Sequence, residues 1–417
     1  MRPIISILVG SGFSIPEGLP CVHELNKRLS KIDESEIIIG SNQIAYFLKG
    51  QEDFNRHNGY YERMFVQQFL EFYNSKVLKQ EESFHYETFY DFYYGYLVNR
   101  ENKEVIEKFC LSFNKKNPTR SPLVYDSLKL MYDFNRTFNQ LLASQLQSAI
   151  YYEDISFFNH YPYDSFIGFL RELLISSDVK FHTLNHDLLF DSFGEHHADL
   201  GQHFTDGFQL EGSPFYGTVK CNFILSDKRS IQKTYLVKLK RFVNKFDKPL
   251  AYFKLHGSVN NTIVYTPKPE QDIIRIKGNY AVMNFKMELT DANTGEQHFE
   301  HLIDKVAPDL LSGTTTKIIS YTHDPYYKIL FKHFEDNLKA SDLLLVIGYG
   351  FQDPGVNDYL ESYFLSRGKQ MIIIDPFKPK TDFIERYKTT YIQKGVTELG
   401  YQEYLDLIPN EFKPTAE

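Results

Sequence analysis

The sequence has few cysteines and no tryptophan. Only Cys21, Cys110 and Cys221 occur in 417 residues. They are too few and too widely spaced for a disulfide framework or a paired Cys-x-x-Cys zinc site. No run approaches the roughly 18 consecutive apolar residues of a membrane helix, and the N-terminus lacks the pattern of a signal peptide. We therefore expect a cytoplasmic protein without contact with a membrane.

The chain also lacks an excess of basic residues. It carries 46 Lys and Arg against 54 Asp and Glu, a net charge of −8 at pH 7. This sign argues against a protein that coats nucleic acid, and we expect no direct sequence-specific nucleic-acid binding. The 42% hydrophobic and 24% charged residues are typical of globular proteins. The length suggests two or three structural units.

Short apolar runs indicate the strands. Residues 4–9, 343–347 and 371–374 form almost continuous apolar runs, which are typical of strands buried on both faces. Residues 179–184 and 251–255 are further candidates. Small or polar residues follow each run, and several then lead into a helical pattern. This order predicts an α/β fold with a Rossmann-like, doubly wound parallel sheet.

The pattern changes within the chain, which suggests domain boundaries. Residues 35–175 contain long, aromatic-rich helical patterns, such as 125–150, and are predicted to form a helical insertion or subdomain. The Rossmann-like core is predicted to comprise residues 1–34 and 176–400. Residues 401–417 are predicted to be a C-terminal tail.

A second insertion, at about residues 210–250, is basic. Its positive side chains are Lys228, Arg229, Lys233, Lys238, Lys240, Arg241, Lys245 and Lys248. We interpret it as a solvated loop and helix face, with a partner- or nucleotide-contacting face as the alternative. Residues 262–320 are richer in Thr, Val, Ile and Gly, and are predicted to hold one or two hairpins.

Five polar clusters follow the five predicted strands. They comprise residues 10–20, 183–187, 254–258, 347–354 and 374–376. Each alone is also typical of a turn, a helix cap or a structural histidine. Because the carboxyl ends of parallel strands meet at one edge of a sheet, we expect all five to line one crevice. Gly10 and Gly12 allow the backbone to approach a phosphate, although Ile15 replaces the third glycine of the dinucleotide fingerprint.

The clusters contain four motifs in a fixed order. They are Gly-Ser-Gly-x-Ser from Gly10, Thr-x-Asn-x-Asp from Thr183, Leu-His-Gly-Ser from Leu255 and Gly-Tyr-Gly-Phe-x-Asp from Gly348. This order resembles the sirtuin family, and more closely its bacterial anti-phage branch of NAD-cleaving effectors. The resemblance extends over nearly the whole chain and implies a core that binds NAD as its substrate.

The resemblance also implies roles for single residues. Asn185 and His256 match the catalytic pair of the family, and Asp187 matches the residue near nicotinamide. The residues that match the phosphate loop are Gly10, Ser11, Gly12 and Ser14. Gly348, Tyr349 and Phe351 match the ribose-contacting loop, and Asp375 lies near the position that holds the adenosine half.

The sequence departs from deacetylating sirtuins at two places. No cysteine follows Cys221, so the four-cysteine zinc ribbon is missing, and Cys21-Val22-His23 stands where those enzymes have Asp-Phe-Arg. Both departures favour NAD hydrolysis over deacylation. The histidines between residues 182 and 203 match no closed zinc spacing, so no zinc or other metal is expected.

These residues suggest how NAD is cleaved. We hypothesise that Asn185 orients the attacking water and that His256 is the general base, acting on that water or on a ribose hydroxyl. Cyclisation shares the same leaving step, so the sequence leaves it open beside hydrolysis.

The sequence as a whole predicts a NAD hydrolase that acts as the effector of bacterial anti-phage defence by depleting NAD. The alternatives are a NAD-dependent deacylase or ADP-ribosyltransferase and a non-catalytic NAD or ADP-ribose sensor. The resemblance further implies a homo-oligomer and a triggering partner, which is a HerA-type ATPase or, alternatively, an Argonaute-type protein.

Overall fold

The computed structural model describes residues 2–40, 44–47, 59–79, 82–118, 126–146, 158–224, 230–267, 272–278, 282–304 and 308–409. Within these ranges the strands are β1 Ile4–Val9, β2 Ile37–Ile39, β3 Ala45–Phe47, β4 Asp178–Thr183, β5 Phe204–Thr205, β6 Gly207–Gln209, β7 Phe215–Ile224, β8 Ser230–Lys238, β9 Lys240–Lys245, β10 Leu250–Lys254, β11 Gly257–Ser258, β12 Asn261–Tyr265, β13 Ile273–Lys277, β14 Met283–Thr290, β15 Gln297–His301, β16 Ile303–Asp304, β17 Asp309–Leu310, β18 Leu343–Ile347, β19 Gln370–Ile374 and β20 Thr389–Ile392.

The helices in the same ranges are α1 Val22–Leu29, α2 Tyr60–Phe72, α3 Tyr86–Asn99, α4 Lys103–Lys116, α5 Ser127–Gln145, α6 Asp164–Ser176, α7 Leu189–His196, α8 Ala198–His203, α9 Thr315–His323, α10 Pro325–Ala340, α11 Pro354–Tyr363, α12 Phe383–Arg386 and α13 Tyr401–Leu407. None of them is long and apolar enough to cross a membrane.

A parallel sheet of seven strands forms the centre of the molecule. Its strand order is β20-β19-β18-β1-β4-β10-β5, and every neighbouring pair is parallel. All five strands predicted from apolar runs lie in it, which confirms the Rossmann-like α/β fold. From β1 the chain adds β4 and β10 on one side, with β5 beyond β10, and β18, β19 and β20 on the other side, so the switch point lies between β1 and β18.

Helices cover both faces of this sheet. Ile5, Ile7 and Val9 of β1 point into a core that they share with the aromatic side chains of α2, α3 and α5. Leu8, between them, points to the opposite face and packs in a second core that α10 and α11 complete. Burial on both faces explains why β1 needs an almost continuous apolar run.

The described residues of 35–175 contain helices α2 to α5, the greater part of α6 and the short strands β2 and β3. The predicted helix 125–150 corresponds to α5, while Tyr125 and residues 147–150 lie outside the described residues. Aromatic rings interlock between the helices, for example Phe69 and Phe134 with centroids 4.9 Å apart. One hydrophobic core joins these helices to the sheet. The boundary between the Rossmann-like core and the helical insertion therefore stays a prediction.

The basic segment at 210–250 differs from its interpretation as a loop and helix face. β7 and β8 pair as antiparallel strands, from Tyr216 opposite Lys238 to Ile224 opposite Ser230. Val219 and Val237 pack against a small hydrophobic core beneath this sheet. The alternation of side chains between the two faces of a strand therefore lets the segment form a sheet despite its many basic residues. Lys228 and Arg229 lie outside the described residues. The hairpins expected at 262–320 are confirmed as β12–β13 and β14–β15.

The prediction of a C-terminal tail is wrong for residues 401–407. They form α13, in which Tyr404 is fully buried. Its hydroxyl donates to the carbonyl oxygen of Val396 at 2.6 Å, and its ring stacks on Phe169. Burying an aromatic ring makes this short helix part of the core. Residues 410–417 of the predicted tail lie outside the described residues.

Candidate functional site

The loops after β1 and β4 meet at the carboxyl edge of the sheet. The Asn185 amide nitrogen donates to the carbonyl oxygen of Gly10 at 2.9 Å and to the Ser14 hydroxyl at 3.0 Å. Ser14 in turn donates to Asp187 at 2.8 Å. The structure therefore brings the first two motifs into direct contact, as expected for loops at the same edge of a parallel sheet.

The loop after β18 packs on the loop after β1 through glycine backbones. The Gly12 amide donates to the carbonyl oxygen of Gly348 at 2.9 Å. Gly348 has φ of +61°, and a Cβ there would lie 2.4 Å from the Phe13 nitrogen. A Cβ on Gly10 would lie 2.7 Å from the Gly348 carbonyl oxygen. The glycines are needed for this close approach; the predicted phosphate contact, which includes the half-buried Ser11, stays a prediction.

We expect Gly348→Ala to destabilise the protein by about 2 to 4 kcal/mol, since the methyl group meets backbone atoms that cannot turn away. Gly18→Ala is the matched control. Gly18 also has a positive φ, +79°, but no atom lies within 4 Å of its Cβ position, so only backbone strain of about 1 kcal/mol is expected. Urea unfolding measures both. If both variants lost the same free energy of unfolding, the contact between the two loops would contribute nothing beyond backbone strain.

His256 lies after β10 and is buried beside two polar side chains. Its Nε2 is 2.9 Å from the Tyr321 hydroxyl and 3.3 Å from Asp353 Oδ2. Lys317 Nζ is 3.1 Å from the same Asp353 oxygen and 3.0 Å from Glu87 of α3. Burial favours the neutral acid, yet the hydrogen bond from His256 and the charge of Lys317 hold the pKa of Asp353 far below its usual value.

Two other titratable groups face the same region. Burial raises the pKa of Asp187, partly offset by Lys254. Burial, together with the neighbouring His256 and Lys254, lowers the pKa of His186 to about 3. The rings of His186 and His256 are 6.3 Å apart. At neutral pH, His186 is therefore an uncharged neighbour of His256.

A buried ion network lies behind Asp187. Lys254 Nζ is 3.1 Å from Asp191, and it also donates to the carbonyl oxygen of Asp187. Lys277 Nζ is 2.7 Å from the other Asp191 oxygen and also bonds Asp206. The two lysines outweigh the effect of burial and keep the pKa of Asp191 below its usual value. The network anchors the loop that carries Asp187 to β10 and β13.

The residues predicted to contact ribose and adenosine lie around the loop after β18. Tyr349 is buried, and its hydroxyl bonds Asn357 at 3.0 Å. Phe351 is buried against Phe383. Asp375 follows β19 beside Gly348 and is half-buried, which raises its pKa. These residues are near the crevice, but their contacts with a ligand stay predictions.

Four residues of this site were not predicted. Lys317 and Tyr321 lie one helical turn apart on α9, a spacing that was visible but had no motif to mark it. Asp353 ends the fourth motif, but no role in the site was assigned to it from the sequence. Its Oδ1 does accept from the Val356 amide at 3.1 Å, while Oδ2 serves His256. Glu87 lies 230 residues from Lys317, and no local pattern could have joined them.

The clustered histidines contact protein groups. His182 Nε2 lies 3.1 Å from the Asn337 amide nitrogen, and His197 Nε2 lies 3.2 Å from His160 Nδ1. In the ranges that the structure describes, no group of three or more His, Cys, Asp and Glu side chains is arranged to hold a metal ion.

Together these features define a Rossmann-like α/β protein with a cluster of buried polar side chains at the carboxyl edge of its sheet. No protein-family model and no curated protein matches the chain. Among solved structures it is similar to a Sir2 homolog in complex with NAD, with 10% identity and a TM-score of 0.36 over 97% of this chain and 89% of that one.

A second solved structure, which concerns the mechanism and regulation of Sir2 enzymes, is 13% identical, with a TM-score of 0.34 over 98% of this chain and 94% of that chain. A mutant Sir2 homologue in complex with 2′-O-acetyl ADP-ribose is 11% identical, with a TM-score of 0.36 over 97% of this chain and 92% of that chain. A likeness this distant leaves the function to be judged from the residues of the site.

Proposed function

We propose that the chain is a NAD hydrolase, which cleaves NAD into nicotinamide and ADP-ribose. The observation that carries the proposal is the pairing of His256 with a buried carboxylate, Asp353, at the sheet edge where Asn185 is held. A histidine beside a carboxylate is suited to accept a proton at neutral pH. Ligands of such sheets bind at this edge.

The role of Asn185 follows from its hydrogen bonds. The Gly10 carbonyl oxygen can only accept, so the Asn185 side-chain group that faces it is the NH₂. The second amide hydrogen is directed at Ser14. The carbonyl oxygen Oδ1 is then the atom that can hold a water molecule by accepting its hydrogen bond.

The reaction breaks the bond between nicotinamide and ribose C1′. Nicotinamide leaves with the bonding electrons, and the ribose becomes oxocarbenium-like. A water oxygen then bonds to C1′ and gives one proton to His256, which returns it to solvent. The chain's contribution is to position the water and to receive this proton.

Product identity tests the proposal. The purified chain is incubated with NAD, and the products are separated by chromatography. Nicotinamide and free ADP-ribose in equal amounts are expected. Cyclic ADP-ribose would show that a ribose group replaces water, O-acyl-ADP-ribose or labelled protein would indicate a deacylase or transferase, and binding of NAD without turnover would indicate a sensor.

We further propose that this activity depletes NAD in bacterial anti-phage defence, in a homo-oligomer triggered by a partner chain. The order of the motifs supports this proposal. The candidates for the partner are a HerA-type ATPase and an Argonaute-type protein, and the helical segment 35–175 offers a surface for the contact. A chain that is strictly monomeric and binds neither candidate would refute the assembly.

A further inference from the structure

The hydrogen bonds around Asp353 define which nitrogen of His256 carries a proton. Asp353 Oδ2 accepts from the Tyr321 hydroxyl at 3.0 Å and from Lys317 at 3.1 Å, while Oδ1 accepts from Val356. A carboxylate with these donors is ionised and can only accept. His256 Nε2, 3.3 Å from Oδ2, must therefore be the N–H.

Tyr321 supports the same tautomer. Its hydroxyl hydrogen is given to Asp353, so its oxygen is free to accept from Nε2 of His256 at 2.9 Å. With the hydrogen on Nε2, the lone pair of a neutral imidazole lies on Nδ1. Both neighbours on the Nε2 side thus leave Nδ1 as the basic nitrogen.

The geometry points to Asp353 as the positioning residue that fixes the Nε2–H tautomer of His256. Nδ1 is then the nitrogen that accepts the proton from water. Because α9 contacts both Asp353 and α3, this arrangement depends on the position of α3. The inference rests on the proposed function for its reaction, but the tautomer itself does not. During turnover one proton passes from water to Nδ1, and the resulting imidazolium is stabilised by Asp353.

The link to α3 consists of two acidic side chains one turn apart. Glu87 pairs with Lys317 at 3.0 Å. Asp91 accepts from the backbone amide of Thr314 at 2.8 Å, at the start of α9. α9 in turn carries both Lys317 and Tyr321 to Asp353. A shift of α3, which lies in the predicted helical insertion, would therefore move both donors that orient the carboxylate.

Nuclear magnetic resonance of ¹⁵N-histidine-labelled protein tests the tautomer without any substrate. Long-range ¹H–¹⁵N correlation spectra distinguish protonated from unprotonated ring nitrogens, and His256→Ala identifies the signals of His256. The Nε2–H form is expected in the wild type, and Asp353→Asn is expected to convert part of it to Nδ1–H, because the amide can donate. A wild-type Nδ1–H form would overturn the inference.

Turnover gives the second readout. Asp353→Asn is expected to lower kcat for nicotinamide release by about 10³-fold or more with KM little changed. Tyr321→Phe, which keeps the ring and is expected to fold, should lower kcat by about 10-fold. Unchanged kcat in both would overturn the inference, whereas a wild type that never cleaves NAD would refute the proposed function and leave the tautomer to be read from the spectra.

Glu87→Gln tests the link through α9. It removes the charge that holds Lys317, so a mixed tautomer and a several-fold lower kcat are expected. Glu104→Gln, on an exposed position of α4, is the matched control and should change neither. A Glu87→Gln protein with the spectrum and kcat of the control would show that α3 has no part in positioning His256.

Discussion

His256→Ala is expected to reduce the initial rate of nicotinamide release from NAD by about 10²- to 10⁴-fold, the usual contribution of a general base. The side chain is 6% exposed and lies within hydrogen-bond distance of two groups that hold its ring. Alanine removes the proposed proton acceptor while leaving the loop of Gly10 and Gly12 in place. The rates are measured by chromatography at saturating NAD.

His298→Ala is the matched control, because this histidine is about half exposed on β15. It should retain the wild-type rate. Asn185→Ala is measured alongside. It should lose activity because it lacks the Oδ1 atom that is proposed to hold the attacking water molecule. If His256→Ala and Asn185→Ala both turned over NAD as fast as the His298 variant, the assignment of the catalytic pair would be wrong.

Lys277→Met is expected to lower the free energy of unfolding by about 3 to 5 kcal/mol at neutral pH, the cost of breaking a buried ion pair on one side. Lys277 Nζ lies between Asp191 and Asp206, and all three side chains are nearly buried. Methionine fills the space but leaves Asp206 without its cation. Urea unfolding at pH 7.5 measures the loss.

The loss should depend on pH in a defined direction. Lys277 stabilises the ionised carboxylates, so its contribution is present above the pKa of an unfolded aspartate, about 3.9. Despite its burial, Asp191 has a pKa held below its usual value by Lys254 and Lys277. The difference between variant and wild type is therefore expected to be the same at pH 7.5 and pH 5, and to narrow only below about pH 4, where the carboxylates of the unfolded chain take up protons.

Lys332→Met is the control for this second experiment. Lys332 also pairs with two carboxylates, Glu335 at 3.2 Å and Asp336 at 2.8 Å, but its side chain is 59% exposed. Solvent screens such pairs, and a much smaller loss than in Lys277→Met is expected. Equal losses in the two variants would mean that burial of the Lys277 network has no energetic consequence.

The sequence predicted the central sheet because the sheet imposes a simple requirement. Strands covered on both faces need apolar residues at nearly every position, and residues 4–9, 343–347 and 371–374 have them. The contact between the first two motifs followed from the same fact, since parallel strands end at one edge. β7 and β8 were missed because their lysines obscured the alternation that buries Val219 and Val237.

The surroundings of His256 could be predicted only in part. The histidine and Asn185 belong to motifs, and so does Asp353, although its second oxygen was not considered. Lys317 and Glu87 depend on the packing of α9 against α3. Contacts between distant helices are set by the tertiary fold, and neither side chain has a local signal that distinguishes it from a solvated charge.

The pairing of β1 with β18 also determines when the protein can first become active. β1 is synthesised well before β18, one of its two neighbours in the sheet, which begins at Leu343. At about 5 to 20 residues per second, translation needs tens of seconds to pass from β1 to that strand. Until then the loop of Gly12 has no Gly348 to pack against, and His256 has no Asp353. A chain that ends before Leu343 therefore lacks both contacts, and the proposed activity is expected only after β18 has been synthesised.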